Sequence, residues 1–181
     1  MRVRALSAVV AVGVVLATPY VLSTSASAQP SAATVAPGTF STAHRTVHRS
    51  PSTSPVVTAI RVGHHAGYDR VVIQLRGRTP GFDVKYVTNL HADPSDKIVN
   101  LLGPASLQFI VTPAAGFNPT NGHSTLTTPE RTKWRLDQVR ETAVIGDFEG
   151  VFTLGVGLAH RAPFRVLTLQ NPTRIVVDIR H

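Results

Sequence analysis

From Val56 onward, apolar and polar positions alternate in short runs. Val71, Ile73 and Leu75 fall on one side of an extended segment and Arg70 and Gln74 on the other, and Phe82, Val84 and Tyr86 alternate with Asp83 and Lys85 in the same way. A period of two residues marks a strand with one buried face. On this basis strands are expected over residues 56–62, 68–75, 82–86, 107–111, 139–146, 151–158, 164–169 and 174–179. Turns are expected at His64-His65-Ala66-Gly67, at Thr79-Pro80-Gly81 with Pro and Gly suited to a type II geometry, and at Asn171-Pro172. Residues 113–129, with Gly116, Asn118, Pro119, Asn121 and Gly122, read as a long loop of the functional or mobile kind. A helical turn is expected over residues 130–136, behind Pro129. Seven or eight strands at intervals of about 8–12 residues, with almost no helical periodicity, predict an all-β fold. The expected form is a β-sandwich of two small, mostly antiparallel sheets, with a closed barrel as the alternative.

The N-terminal texture is different. Arg2 and Arg4 precede an apolar run from Ala5 to Leu22, and Ala26-Ser27-Ala28 supplies a small-x-small site before Gln29, so residues 1–28 read as a signal peptide. The competing reading is a retained anchor, because the apolar run of about 18 residues sits at the lower limit for a membrane span. Pro19 and the Ser, Thr and Ala after Leu22 favour cleavage, leaving no stable span in the mature chain. Residues 29–55 are dominated by Ser, Thr, Ala and Pro, with Phe40 as their one aromatic, and read as a disordered linker ahead of a domain at 56–181.

The chain contains no cysteine, which removes disulfides, thiolate metal sites and cysteine nucleophiles. Without Arg2 and Arg4 it keeps sixteen basic residues against ten acidic ones, a formal net charge of +6. An anionic partner suits an exported basic chain. Nucleic acid does not, since neither a stacking nor a helix-turn-helix pattern is present.

Candidate chemistry is sparse. Asp147 and Glu149, two apart around Phe148, would project to one face of a strand at roughly 6–7 Å. His64 and His65 with Asp69 are the residue types of an imidazole-carboxylate metal site, but neighbouring histidines on an extended chain point apart. Turn roles are therefore expected, with no metal and no cofactor. Arg70, Arg174 and Asp178 are read as ion pairs that pin sheet register. Gly155 and Gly157 leave one face of a strand bare, and Trp134 is expected to pack over it. Ser95, Ser106 and Ser124 lie in no nucleophile context.

Residues 163–179 run as a strand from Phe164, a turn with Asn171-Pro172, and a closing strand with Arg174, Val177 and Asp178. This ending resembles that of AMIN domains. Upstream, Gly63-His64-His65, Tyr68-Asp69-Arg70-Val71-Val72, Pro80-Gly81-Phe82 and Asp147-Phe148-Glu149-Gly150 occur in the order seen in the AMIN-like variant of exported actinobacterial proteins. The resemblance implies a β-sandwich and a non-catalytic, extracytoplasmic module of the cell envelope. Its implied partner is a cell-wall glycopolymer of peptidoglycan type or an envelope protein, and it brings no catalytic residues. Relatives carry the module beside amidases or secretion-pore subunits, whereas this sequence shows no second domain. Expected binding residues are His64, His65, Tyr68, Asp69, Arg70, Asp147, Phe148 and Glu149. The alternative is a metal- or carboxylate-dependent envelope hydrolase, which requires His64, His65, Asp69, Asp147 and Glu149 to converge.

Overall fold

The alternation is realised as strands throughout residues 38–181, the part of the chain that the structure, a computed structural model, describes. The expected signal peptide and residues 29–37 of the expected linker lie outside the described residues. The strands are β1 (Arg45–Val47), β2 (Val56–His65), β3 (Tyr68–Arg76), β4 (Gly81–Val87), β5 (Leu90–Ala92), β6 (Lys97–Val99), β7 (Ala105–Thr112), β8 (Arg131–Lys133), β9 (Val139–Phe148), β10 (Val151–Leu158), β11 (Phe164–Leu169) and β12 (Thr173–Arg180). They form a six-stranded sheet in the order β1-β4-β7-β10-β9-β8 and a four-stranded sheet in the order β11-β12-β3-β2, with β5-β6 as a small hairpin. Every ladder between these strands is antiparallel.

The two larger sheets close on one core. Val71, Ile73, Leu75, Ile175, Val177 and Ile179 face it from the four-stranded sheet, and Leu107, Phe109, Phe152, Leu154 and Val156 from the six-stranded one. Phe109, Phe152 and Phe164 are wholly buried, each contributing about 2–3 kcal/mol by leaving water. This is the expected sandwich.

Four local expectations are corrected. Residues 38–55 are not a linker: Ser41 and Phe164 exchange two backbone bonds of 2.9 Å, and β1 pairs with β4. Residues 130–136 hold the edge strand β8 in place of a helical turn, because Arg131–Lys133 find backbone partners along Glu141–Ala143. His64 and His65 belong to β2, so the turn shrinks to Ala66-Gly67, with Gly67 at φ 84°. Gly81 opens β4 without a positive φ; a Cβ there would stand 2.8 Å from the Val47 carbonyl oxygen, so its role is to admit β1.

The long loop is laid along the edge of β2. Val57 N–H donates to Ala115 (2.7 Å), Thr127 N–H donates to Thr58 (2.8 Å), and the Thr125 and Thr128 hydroxyls bond Val57 and Ile60. These bonds use main-chain groups that an edge strand otherwise leaves open to pairing.

The face over Gly155 and Gly157 is also filled, but not by Trp134. The β5-β6 hairpin and residues 100–104 cover it, with Leu90 and Leu101 over Gly155 and the Leu102 backbone over Gly157. Trp134 instead donates its indole N–H to Thr142 (3.0 Å). Glu141 fastens this flap by accepting from Leu102 N–H (2.8 Å) and from Arg131 (2.8 Å). Burial alone would raise the Glu141 pKa, but these bonds outweigh it and hold it below its ordinary value. Its stabilising contribution is therefore complete above the unfolded pKa, near 4.5, and is lost as pH falls through the lower folded value. Glu141→Gln is expected to cost about 1–2 kcal/mol near neutral pH. Melting curves of the two proteins should converge as pH is lowered below about 4.5.

Candidate functional site

The β2-β3 hairpin assembles five of the predicted binding residues. His65 pairs with Tyr68, His64 with Asp69 and Gly63 with Arg70. Because partners in a ladder point to the same side, the hairpin sends His65, Tyr68 and Arg70 to the outer face of the four-stranded sheet. His64 and Asp69 turn to the inner side, at the end of the sandwich. The divergence expected of adjacent histidines is present, and one sequence cluster becomes two structural ones.

The outer cluster is built from rows that cross the sheet. One row runs His65, Tyr68, Arg180; the next runs Gly63, Arg70, Asp178, Arg165. Asp178 is fully buried and takes both forks, from Arg70 (2.6 and 3.0 Å) and from Arg165 (2.8 Å). The expected arginine pairing thus holds for Arg70, whereas Arg174 bonds the Pro172 carbonyl and Arg165 takes the place beside Asp178. His65 stacks on Tyr68 at 4.9 Å, and the Arg165 and Arg180 guanidiniums each lie 4.6 Å from the Phe40 ring. Among the described residues this face carries Arg61, Arg70, Arg76, Arg165, Arg174 and Arg180 against one carboxylate.

The inner cluster centres on Asp69, which has no exposed surface. Its Oδ2 accepts the backbone N–H of Gln138 (2.7 Å) and of Val139 (2.9 Å) at the start of β9. Its Oδ1 accepts from His64 Nδ1 (3.0 Å) and His181 Nε2 (3.1 Å). One carboxylate therefore ties the four-stranded sheet to the six-stranded one. Burial pushes its pKa up, but the Val139, Gln138, His181 and His64 bonds more than offset that and keep it below the ordinary value. The two imidazole rings stack at 4.9 Å and 6°.

Asp147, Phe148 and Glu149 lie elsewhere. Asp69 grips the beginning of β9 and Asp147 sits near its end, eight residues on, about 25 Å away at strand rise. Asp147 accepts the Gly116 N–H with both oxygens (3.0 Å), and its pKa is raised by burial. Glu149 and Gly150 both have positive φ, 47° and 77°, and form the two-residue turn between β9 and β10. Asp147 and Glu149 are thus not neighbours on one strand face, and the five residues required for the hydrolase alternative do not converge. Phe148 is 46% exposed at this far end. Two open clefts, of about 440 and 250 Å³, contain none of the eight predicted binding residues; the larger lies at the other end of the hairpin, against Thr58, Gln74 and Arg76.

Sequence reasoning missed Phe40, Asp137, Arg165, Arg180 and His181. Only Phe40 carried a local signal, as a lone aromatic in a segment whose composition otherwise gives the chain nothing to bury. No curated protein and no solved structure matches the chain. A family model described as the AMIN-like domain matches residues 55–181, the span that holds the hairpin, both charge clusters and most of the two sheets, and the chain belongs to that family.

Proposed function

We propose that the chain is an extracytoplasmic, non-catalytic module of the cell envelope that holds an anionic glycopolymer of peptidoglycan type. The outer face of the four-stranded sheet is the contact surface. One observation carries this reading: Arg70 and Arg165 are fixed by Asp178 beside the aromatic group of Phe40, Tyr68 and His65, with Arg61 and Arg180 exposed around them. Aromatic rings offer apolar surface to the C–H side of a sugar, and the exposed guanidiniums of Arg61 and Arg180 suit its carboxylates or phosphates, the Arg70 and Arg165 forks being held by Asp178. Preset side chains lose little freedom on binding. Capture of a protein partner by strand addition at the first half of β2 is the weaker alternative, since the 113–129 loop already occupies that edge.

The purified full chain is expected to pellet with cell-wall sacculi at low ionic strength and to be released as salt is added. The double variant Arg61→Glu/Arg180→Glu leaves the Asp178 forks in place and is expected to bind roughly tenfold more weakly. Failure to pellet at low salt, or equal pelleting of the double variant, would refute the proposal.

A further inference from the structure

The inner cluster has the parts of a metal site that the outer face does not need. His64, Asp137 and His181 each present one donor atom, and the three atoms lie within 4.8 Å of one another. His181 Nδ1 is 3.7 Å from Asp137 Oδ2. A tetrahedral ion with bonds of about 2.0–2.1 Å spaces its ligands roughly 3.3 Å apart, so the group is open by at most about 1.5 Å. The missing closure falls on exposed side chains. The His64 side chain is 49% exposed and that of Asp137 69% exposed, and both can turn without disturbing the core.

Asp69 is the second, independent observation. An ionised carboxylate only accepts, so His64 must hold its proton on Nδ1 and His181 on Nε2. In the neutral imidazoles these assignments leave His64 Nε2 and His181 Nδ1 as the nitrogens able to bind an ion. A buried carboxylate that takes one imidazole N–H and frees the other nitrogen is how proteins set the tautomer and orientation of metal-binding histidines. Here a single carboxylate does so for two histidines, and its other oxygen is locked by two backbone N–H groups, so it cannot follow the rings outward. To share an ion the rings must leave their parallel stack, a tilt that pivots about their bonds to Asp69.

We propose that His64, Asp137 and His181 form a surface site for one divalent ion of the zinc class, positioned from behind by Asp69. Two imidazoles and a carboxylate suit such ions over calcium or magnesium, which prefer oxygen alone. With three protein ligands the fourth position faces solvent and is open to water or to an anionic group of a bound ligand. The site is independent of the arginine face, and its test does not depend on that reading.

The full chain, stripped with chelator, is titrated with zinc alone and followed by calorimetry and by thermal shift. One ion per chain is expected to bind saturably and to raise the melting temperature. His64→Ala, His181→Ala and Asp137→Ala should each weaken binding by about tenfold or more. Asp137 is exposed enough that its variant folds as the parent does. His123→Ala, in the far loop, and Arg61→Glu/Arg180→Glu should both bind as the parent does. The absence of one-to-one saturable binding, or an affinity that the three ligand variants leave unchanged, would overturn the proposal.

Discussion

Asp69→Ala is expected to destabilise the fold by about 3–5 kcal/mol, the cost of breaking a buried charged network and stranding its partners. Removing the carboxylate leaves the N–H groups of Gln138 and Val139 without an acceptor where β9 enters the sandwich. An unsatisfied buried donor costs about 1–3 kcal/mol, so two of them account for most of the loss. The rest comes from His64 and His181, which lose the anion their rings are turned toward. In thermal unfolding this corresponds to a melting temperature lower by roughly 10–15 °C for a domain of this size. Asp69→Asn keeps an oxygen for the backbone donors but no charge, and about half the effect is expected from it. A fall of less than about 1 kcal/mol for the alanine variant would mean that water replaces the carboxylate freely, and that the sheets are joined at this end by apolar packing alone.

Much of this architecture could be read along the chain, and the parts that could not share a physical cause. The strands β3, β4, β7 and β11 repeat the in-and-out pattern over several residues, and that repetition is what burying one face imposes. β1, β5, β6 and β8 are three residues long, too short for a period of two to stand out from loop composition. Their pairing is decided by tertiary neighbours: β1 is admitted by Gly81, and β8 is held against β9 by the Arg131-Glu141 pair. The same limit applies to the site. His64-His65 and Asp147-Phe148-Glu149 drew attention because their chemistry is adjacent in sequence, but adjacency on a strand means opposite faces, and Glu149 falls in a turn. Besides Asp69, five residues on, His64 meets Asp137 and His181 from far along the chain, and only the return of β12 beside β3 brings His181 to it. Asp178 was legible as an ion-pair partner, but Arg165 was not, because which arginine reaches it depends on the register of β11 against β12.

The sharpest test of the flap is Gly157→Ala, expected to cost about 2–4 kcal/mol through forced displacement of residues 101–103. A Cβ at Gly157 would stand 2.3 Å from the Leu102 carbonyl oxygen and 2.9 Å from the Leu101 Cβ. Neither is the tip of a flexible side chain, so the flap backbone has to lift. Lifting it pulls Leu102 N–H away from Glu141, leaving one oxygen of that buried carboxylate without its donor, and opens the small cluster of Leu90, Ala143 and Ile145 to water. Gly103, next in the flap, runs at φ 101° where a Cβ would meet the Leu158 backbone, so the flap lies close against β10 there as well. Gly155→Ala is the control on the same strand face. Its Cβ would meet the methyl tips of Leu90 (2.9 Å) and Leu101 (3.2 Å), which can rotate aside, so a loss of about 1 kcal/mol or less is expected. Denaturant melts give the two magnitudes, and amide exchange at residues 101–103 reads the local opening directly. Equal effects at the two glycines would show that the flap rides loosely on β10. A large effect at Gly157 alone, with faster exchange confined to the flap, would mean that the bare strand face exists to seat this chain's own backbone and is unavailable to a sugar ring.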